Sequence, residues 1–353
     1  MQEKLLKYAS IFIVLFSIGA MTGMVYYGMQ REIIYLHAST SEEGLVEELQ
    51  NESLQSEIKL EVVKNGEMAD HLTIPLEETI QQSKVQVENN YLYRQLIFKI
   101  EGEYEYFYQT AIMEDNQDYV SVAYHFTSEG YTYLIFQLNE MYEHVVTYKN
   151  NTILVNFYYP NELYENIIVI DPAYGLEEEA GGLFESNEED IVLAVALALK
   201  EKLGTTDYKV YYTRTSEDAI SDELRLQFIN SSMADMAIRI EVDQQEDTAV
   251  YGATAIYNDE YFIPEFNSIT LSDQILKSVA QTTGTQALGL VKATLEEDPI
   301  VIGATVPMTT IKIGCISNDW ERNLLEDEGY INLVAEGILK GIQSAYVMTE
   351  EQE

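Results

Sequence analysis

The sequence predicts a C-terminal α/β domain, a mixed β-sheet flanked by helices, preceded by a small all-β domain and an N-terminal transmembrane helix. Three observations carry this reading. Residues 8–29 form an uncharged run, residues 58–160 break into short β-branched and tyrosine-rich runs separated by turn residues, and beyond Pro160 strand and helix patterns alternate. At 353 residues the chain is long enough for an anchor and two domains that each bury a core.

Tyr8 to Met29 carries no charge. As a helix it would span roughly 33 Å, enough for the ~30 Å hydrocarbon core of a bilayer. Lys4 and Lys7 precede it and only Arg31 follows closely, a bias that places residues 1–7 in the cytoplasm and the remainder outside, at the cell membrane. The alternative is a cleaved signal peptide, against which stand the length of the run and the lack of a clear small-x-small cleavage site. Residues 30–57 read as an acidic linker and residues 348–353 as an acidic tail.

Twenty Lys plus Arg against sixty Asp plus Glu give a net charge of −40, which repels nucleic acid and anionic lipid. An apolar content of 46% and 27 tyrosines supply ample burial, so this charge coats a folded surface. Cys315, the single cysteine, cannot form an internal disulfide and suits a core position on an apolar strand.

Within 58–160 the predicted strands are Tyr91 to Ile100, Tyr104 to Met113, Asp118 to Phe126, Tyr131 to Leu138, His144 to Lys149 and Thr152 to Tyr158. Tyr104, Tyr106 and Tyr108 read either as one partly packed strand face or as rings that stack on sugars. His37, His71, His125 and His144 are too scattered for a metal site. By position and strand rhythm, the region resembles the AMIN-type modules that precede cell-wall amidase domains.

For residues 161–347, strands are predicted at Ile167 to Ile170, Lys209 to Thr213, Met236 to Val242, Ala249 to Tyr257 and Thr309 to Ile316. Helices are predicted at Glu188 to Leu203, Asp218 to Ser231, Leu271 to Thr282 and Tyr330 to Tyr346. Five segments here carry a specific pattern: Asp171-Pro172-Ala173-Tyr174-Gly175, Glu188-Glu189-Asp190-Ile191, Thr213-Arg214 with Arg225 beyond it, Ala234-Asp235 through Ile240-Glu241-Val242-Asp243, and Ile311-Lys312-Ile313-Gly314-Cys315-Ile316-Ser317-Asn318. In order and spacing they resemble the zinc-dependent N-acetylmuramoyl-L-alanine amidases, which cut the bond between peptidoglycan glycan and stem peptide.

That resemblance implies a zinc ion held by two histidines and a glutamate, with a second glutamate as general base. Carried across, the first histidine is Tyr174, the glutamate ligand is Glu188, the second histidine is Glu241 and the catalytic glutamate is Lys312. Residues 161–353 contain no histidine. A neutral phenol is a poor zinc ligand, and an ammonium repels a cation and cannot accept a proton from water. No catalytic residue, metal or cofactor is therefore expected. If any metal binds, Glu188, Glu241 and Asp243 are the candidates, Asp243 lying two residues beyond Glu241 on one strand face.

Lys312 is expected to bridge Glu188 and Glu241 beside the Tyr174 hydroxyl. Alternatively, Glu188 is a first-turn carboxylate stabilised by free backbone N–H groups behind an Asn187 N-cap. Asp171, Pro172, Arg214, Arg225, Pro307, Gly314, Ser317 and Asn318 read as supports for turns and strand ends. The resemblance thus implies a catalytically inactive protein whose partners are peptidoglycan or a cell-wall enzyme, and the run at 8–29 implies that it is anchored in the membrane. Two alternatives stand beside it, an active amidase with a rebuilt metal site and a pure protein-interaction module.

Overall fold

The computed structural model describes residues 58–64, 71–115, 117–174, 188–217, 220–259 and 266–350. The segment 8–29, His37, Asn187, the linker and residues 351–353 lie outside these residues, while residues 348–350, expected to begin the tail, instead end the last helix of the chain's described part. Among the described residues no helix is long and apolar enough to cross a membrane.

Ten strands build two five-stranded sheets. One has the order β1 (Ile58–Lys59), β7 (Val120–Ser128), β8 (Tyr131–Leu138), β5 (Gln95–Glu101), β4 (Val85–Asn90), and the other β2 (Glu61–Val63), β6 (Ile112–Asp115), β3 (Leu72–Pro75), β10 (Thr152–Tyr158), β9 (Glu143–Tyr148). Alternation explains β10, where Ile153, Val155 and Phe157 are buried between less buried neighbours. Each such side chain contributes roughly 1.5–3 kcal/mol on leaving water. The sheets share a core that includes Leu96, Phe98, Leu134, Phe136 and Met113.

The strand expected over Tyr104 to Met113 is a correction: the chain forms a single turn of helix, α1 (Glu105–Tyr108), before β6. Tyr104, Phe107 and Tyr108 reach the core together, a spacing of three and four that fits a helix and not a strand. The buried Tyr108 hydroxyl donates to the Pro75 carbonyl at 3.3 Å, and Tyr106 is left exposed by itself. The three rings therefore share no strand face.

After the short helix α2 (Pro160–Leu163), the third sheet has the order β12 (Lys209–Tyr212), β11 (Ile167–Pro172), β13 (Met236–Asp243), β16 (Met308–Cys315), β14 (Ala253–Tyr257), β15 (Ala287–Lys292). It is mixed: β12, β11, β13 and β16 run parallel, β14 pairs antiparallel to β16, and β15 is parallel to β14. Helices cover both faces, as the alternation of strand and helix required. Met236, Ile238, Ile240 and Val242 of β13 pack with α3 (Glu188–Leu203), α5 (Ser268–Thr283) and α8 (Glu328–Glu350). Ala237, from the opposite face, packs with α4 (Asp222–Ser231) and α6 (Pro299–Gly303). A Cβ on Gly337 would stand 2.7 Å from the Val279 Cα, and one on Gly341 2.8 Å from the Ile275 Cα, so α8 needs glycine at both positions to lie this close to α5.

One buried polar joint ties the two-sheet region to the third sheet. Glu143 of β9 receives the Tyr91 hydroxyl at 2.9 Å, the Tyr211 hydroxyl at 2.5 Å and the Lys209 ammonium at 2.6 Å. Leu92, Tyr93 and Met141 share an apolar cluster with Ile167, Tyr211 and Phe228 beside it.

Candidate functional site

The residues singled out above gather where β11, β13 and β16 end at their C-terminal edges, beside the start of α3. Parallel strands open such edges to solvent, which is where α/β folds place their chemistry. The site is built on Asp171, the last residue but one of β11, fully buried. Its carboxylate accepts from the Thr213 hydroxyl at 2.6 Å, from the Arg239 guanidinium at 2.7 Å and from Arg225. Burial pushes this carboxyl up; the two guanidiniums and the hydroxyl outweigh it and hold the carboxyl well below its ordinary range.

Two arginines fix the turn that follows. Arg214 donates from Nε to the Pro172 carbonyl at 3.0 Å and from Nη2 to the Ala173 carbonyl, while Arg225 donates to the Pro172 carbonyl at 2.8 Å and to the Tyr174 carbonyl. Burial lowers the Arg214 guanidinium to about 10, with repulsion from Arg225 adding to it. The turn thus satisfies three successive carbonyls with two fixed cations and holds Tyr174 at a positive φ of 65°.

Each position carried over from the resemblance is engaged within the protein. The Tyr174 hydroxyl donates to the Val242 carbonyl at 2.9 Å, and burial together with Glu241 and Glu188 pushes its pKa up, so it stays a neutral phenol. Glu188, buried in the first turn of α3, accepts from the Gln244 side-chain amide. Glu241 accepts from Arg239 Nε at 2.9 Å. Asp243, buried, accepts the Lys312 ammonium at 2.9 Å and the Gln245 side-chain amide at 2.6 Å.

The expected bridge from Lys312 to Glu188 and Glu241 is therefore corrected. Lys312 stands opposite Glu241 in the strand register, but its ammonium reaches one step further along the same face to Asp243. Glu241 is already paired with Arg239, whose guanidinium spans the gap between Asp171 and Glu241. Burial alone would lower the Lys312 pKa; Asp243, and more distantly Glu241 and Asp298, raise it above the ordinary value.

Arg239 and Asp298 are the site residues that motif matching missed. Asp298 caps α6 by accepting from the Val301 N–H at 3.0 Å and also takes the Thr310 hydroxyl at 2.5 Å. Burial and then Glu241 raise its carboxyl. The signal for Arg239 was present: a cation inside the otherwise apolar run Met236-Ala237-Ile238-Arg239-Ile240 needs a buried anion as partner. Nothing in the local sequence marks Asp298.

The supports expected at strand ends have identifiable tasks. The Ser317 hydroxyl accepts from the Gln245 N–H at 2.9 Å, and Asn318 caps α7 (Asp319–Leu325) through the N–H groups of Trp320 and Glu321, both at 3.1 Å. A Cβ on Gly314 would lie 3.0 Å from the Glu321 carboxyl carbon. Glu321, fully buried, accepts from the Cys315 N–H at 2.7 Å and the Gly252 N–H at 2.9 Å. Cys315 is buried on β16, the core position expected of it.

Residues 168–344 match the family model described as N-acetylmuramoyl-L-alanine amidase, half of the chain. The chain belongs to the N-acetylmuramoyl-L-alanine amidase family. Among its relatives, the germination-specific N-acetylmuramoyl-L-alanine amidase of Bacillus subtilis (strain 168) is 26% identical over 192 residues, covering 50% of this chain and 78% of its own. YqiI of the same organism is 26% identical over 186 residues, covering 51% and 84%. The crystal structure of an N-acetylmuramoyl-L-alanine amidase from Clostridium difficile 630 aligns over 52% of this chain and 97% of its own at a TM-score of 0.47 and 22% identity.

The residues in the amidase metal position do not fit a zinc ion. Of the donors that the family resemblance requires, one carboxylate remains, and it is hydrogen-bonded to Gln244. The second histidine position carries a carboxylate held by Arg239, the first a hydroxyl turned to a backbone carbonyl, and the base position an ammonium that a divalent ion would have to approach. A rebuilt site on Glu188, Glu241 and Asp243 meets the same obstacle, because each already has a donor and two of the donors are full cations.

Proposed function

We propose that this chain is a membrane-anchored, extracytoplasmic member of the amidase family that does not hydrolyse peptidoglycan. It acts as a binding, scaffold or regulatory component of cell-wall remodelling. One observation carries the reading: Lys312, in the position of the catalytic glutamate, holds its ammonium 2.9 Å from the buried Asp243. Its raised pKa keeps it protonated, and an ammonium offers no lone pair to take a proton from water.

What the residues can still do is bind. A cavity of about 270 Å³ beside the site is lined by Lys312, Asp243 and Glu297 together with the aliphatic Ile256, Leu288 and Val291. Donors, acceptors and alkyl surface in one concavity suit a peptide that alternates amide groups with small aliphatic side chains. Recognition without turnover is the use this arrangement supports, and the anchor at 8–29 would hold it at the membrane face of the wall.

Two assays on the full chain in detergent test this. Dye-labelled purified cell wall should release no more dye than with buffer, while insoluble peptidoglycan should retain the protein above a control of equal charge. Dye release with turnover ends the non-hydrolytic reading. Absence of retention removes wall binding and leaves the family fold as a protein-interaction module.

A further inference from the structure

Arg239 stands apart from the other cations added to the amidase pattern because it pairs with two carboxylates at once. It is almost fully buried, and its two arms reach two carboxylates on different strands, Asp171 on β11 at 2.7 Å and Glu241 on its own strand at 2.9 Å. Burial disfavours the charged guanidinium, but Asp171, Glu241 and Asp298 outweigh burial and fix it in the ionised state. Asp171 also takes Arg225 and Thr213, so it keeps partners without Arg239, whereas Arg239 is the cation paired with Glu241.

We infer that Arg239 bars a divalent cation from the Asp171–Glu241 side of this site: its guanidinium supplies, between these two carboxylates, the positive charge that an ion would otherwise bring. Changing the lost ligands back leaves that charge in place. Removing Arg239 frees Glu241 beside Asp171, which keeps Arg225 and Thr213, and the two carboxylates both lie within hydrogen-bond reach of a single guanidinium. Such an oxygen-only pair suits a hard cation such as Mn²⁺ better than zinc. Arg239 is thus a positioning and exclusion residue, acting through Asp171 and Glu241.

This inference rests on the proposal that the site is not a zinc hydrolase, and its test is independent of wall hydrolysis. Thermal unfolding of the full chain is followed at matched ionic strength with EDTA or Mn²⁺ for wild type, Arg239→Ser and Arg239→Ser/Glu241→Gln. The wild-type Tm should be the same in both buffers. Arg239→Ser should melt lower by about 5 °C or more, as expected for a broken buried ion pair, and Mn²⁺ should recover about 2 °C or more of it by binding only the folded state. The double variant, lacking the freed carboxylate, should not respond.

If Arg239→Ser is not recovered folded, Arg239→Gln, which keeps a donor and much of the volume, carries the same comparison. A wild type stabilised by Mn²⁺ as much as the variant, a charge-removing variant that ignores Mn²⁺, or a double variant that responds as fully as the single one would each overturn the inference.

Discussion

Lys312 Nζ lies 2.9 Å from Asp243 Oδ1 although the strand register sets Lys312 opposite Glu241. The carboxylate opposite the lysine is held by Arg239, and the lysine pairs with the more deeply buried one. Two ion pairs thus replace one bridge, each closed by its own cation.

The pair should be visible in a double-mutant cycle. Lys312→Ala leaves the buried Asp243 with the Gln245 amide and without this cation, and should destabilise the fold by about 2 kcal/mol, discounted from the fully buried case because the lysine head is partly solvated. Asp243→Ala should cost a similar amount, and the double variant about 1 kcal/mol less than the sum. Chemical denaturation of the four proteins measures the coupling, and strictly additive losses would show that the two charges do not depend on each other.

Glu143 is a second place where one carboxylate serves several donors, Lys209 and the hydroxyls of Tyr91 and Tyr211. The hydroxyl bond and the Glu143 charge, after burial itself, push the Tyr211 pKa up, so this phenol remains a donor throughout the physiological range. Glu143→Leu should remove the anion from Lys209 and the acceptor from the Tyr211 hydroxyl, costing about 2–4 kcal/mol. Because the joint lies between the two-sheet region and the third sheet, the same change should increase proteolytic cleavage in the connecting segment around Pro160. Limited proteolysis followed by mass spectrometry checks this, and an unchanged fragment pattern would mean the apolar contacts of Leu92, Tyr93 and Met141 hold the regions together without it.

Much of this architecture was legible in the sequence because its signals were local. Tyr131–Leu138 and Thr152–Tyr158 are strands at the bounds their β-branched and aromatic content indicates, and Glu188–Leu203 is a helix over its full expected range. What escaped was non-local. Val85–Asn90 is too polar to read as a strand, yet pairs along its whole length with the apolar Gln95–Glu101. Ala287–Lys292 is an edge strand whose largely exposed residues give no burial rhythm. In the site, the motif placed Tyr174, Glu188, Glu241 and Lys312 in one neighbourhood, but partner choice depended on Arg239 and Asp298. Those residues come from a position the motif gives no charge and from a loop more than fifty residues further along.

His125 offers the clearest pH test, because it is a base buried without compensation. Its side chain lies within the two-sheet core on β7, 6.2 Å from the Tyr108 ring, and neither ring nitrogen has a hydrogen-bond partner among the described residues. Burial lowers its pKa below the ordinary 6.5, and Glu105 only partly offsets this. The unfolded chain therefore binds a proton at higher pH than the folded one. Stability is unaffected by this group above about pH 6.5 and falls as pH drops below it, with a slope of at most about 1.4 kcal/mol per pH unit until the folded histidine itself protonates. His125→Leu removes the titration and keeps an apolar side chain in the core. The stability difference between variant and wild type, followed by denaturation from pH 8 to about pH 5, should be flat above the ordinary histidine pKa and shift in favour of the variant below it. A difference that stays constant across that range would mean that His125 keeps the same proton affinity folded and unfolded, and that the core is open to water at this point.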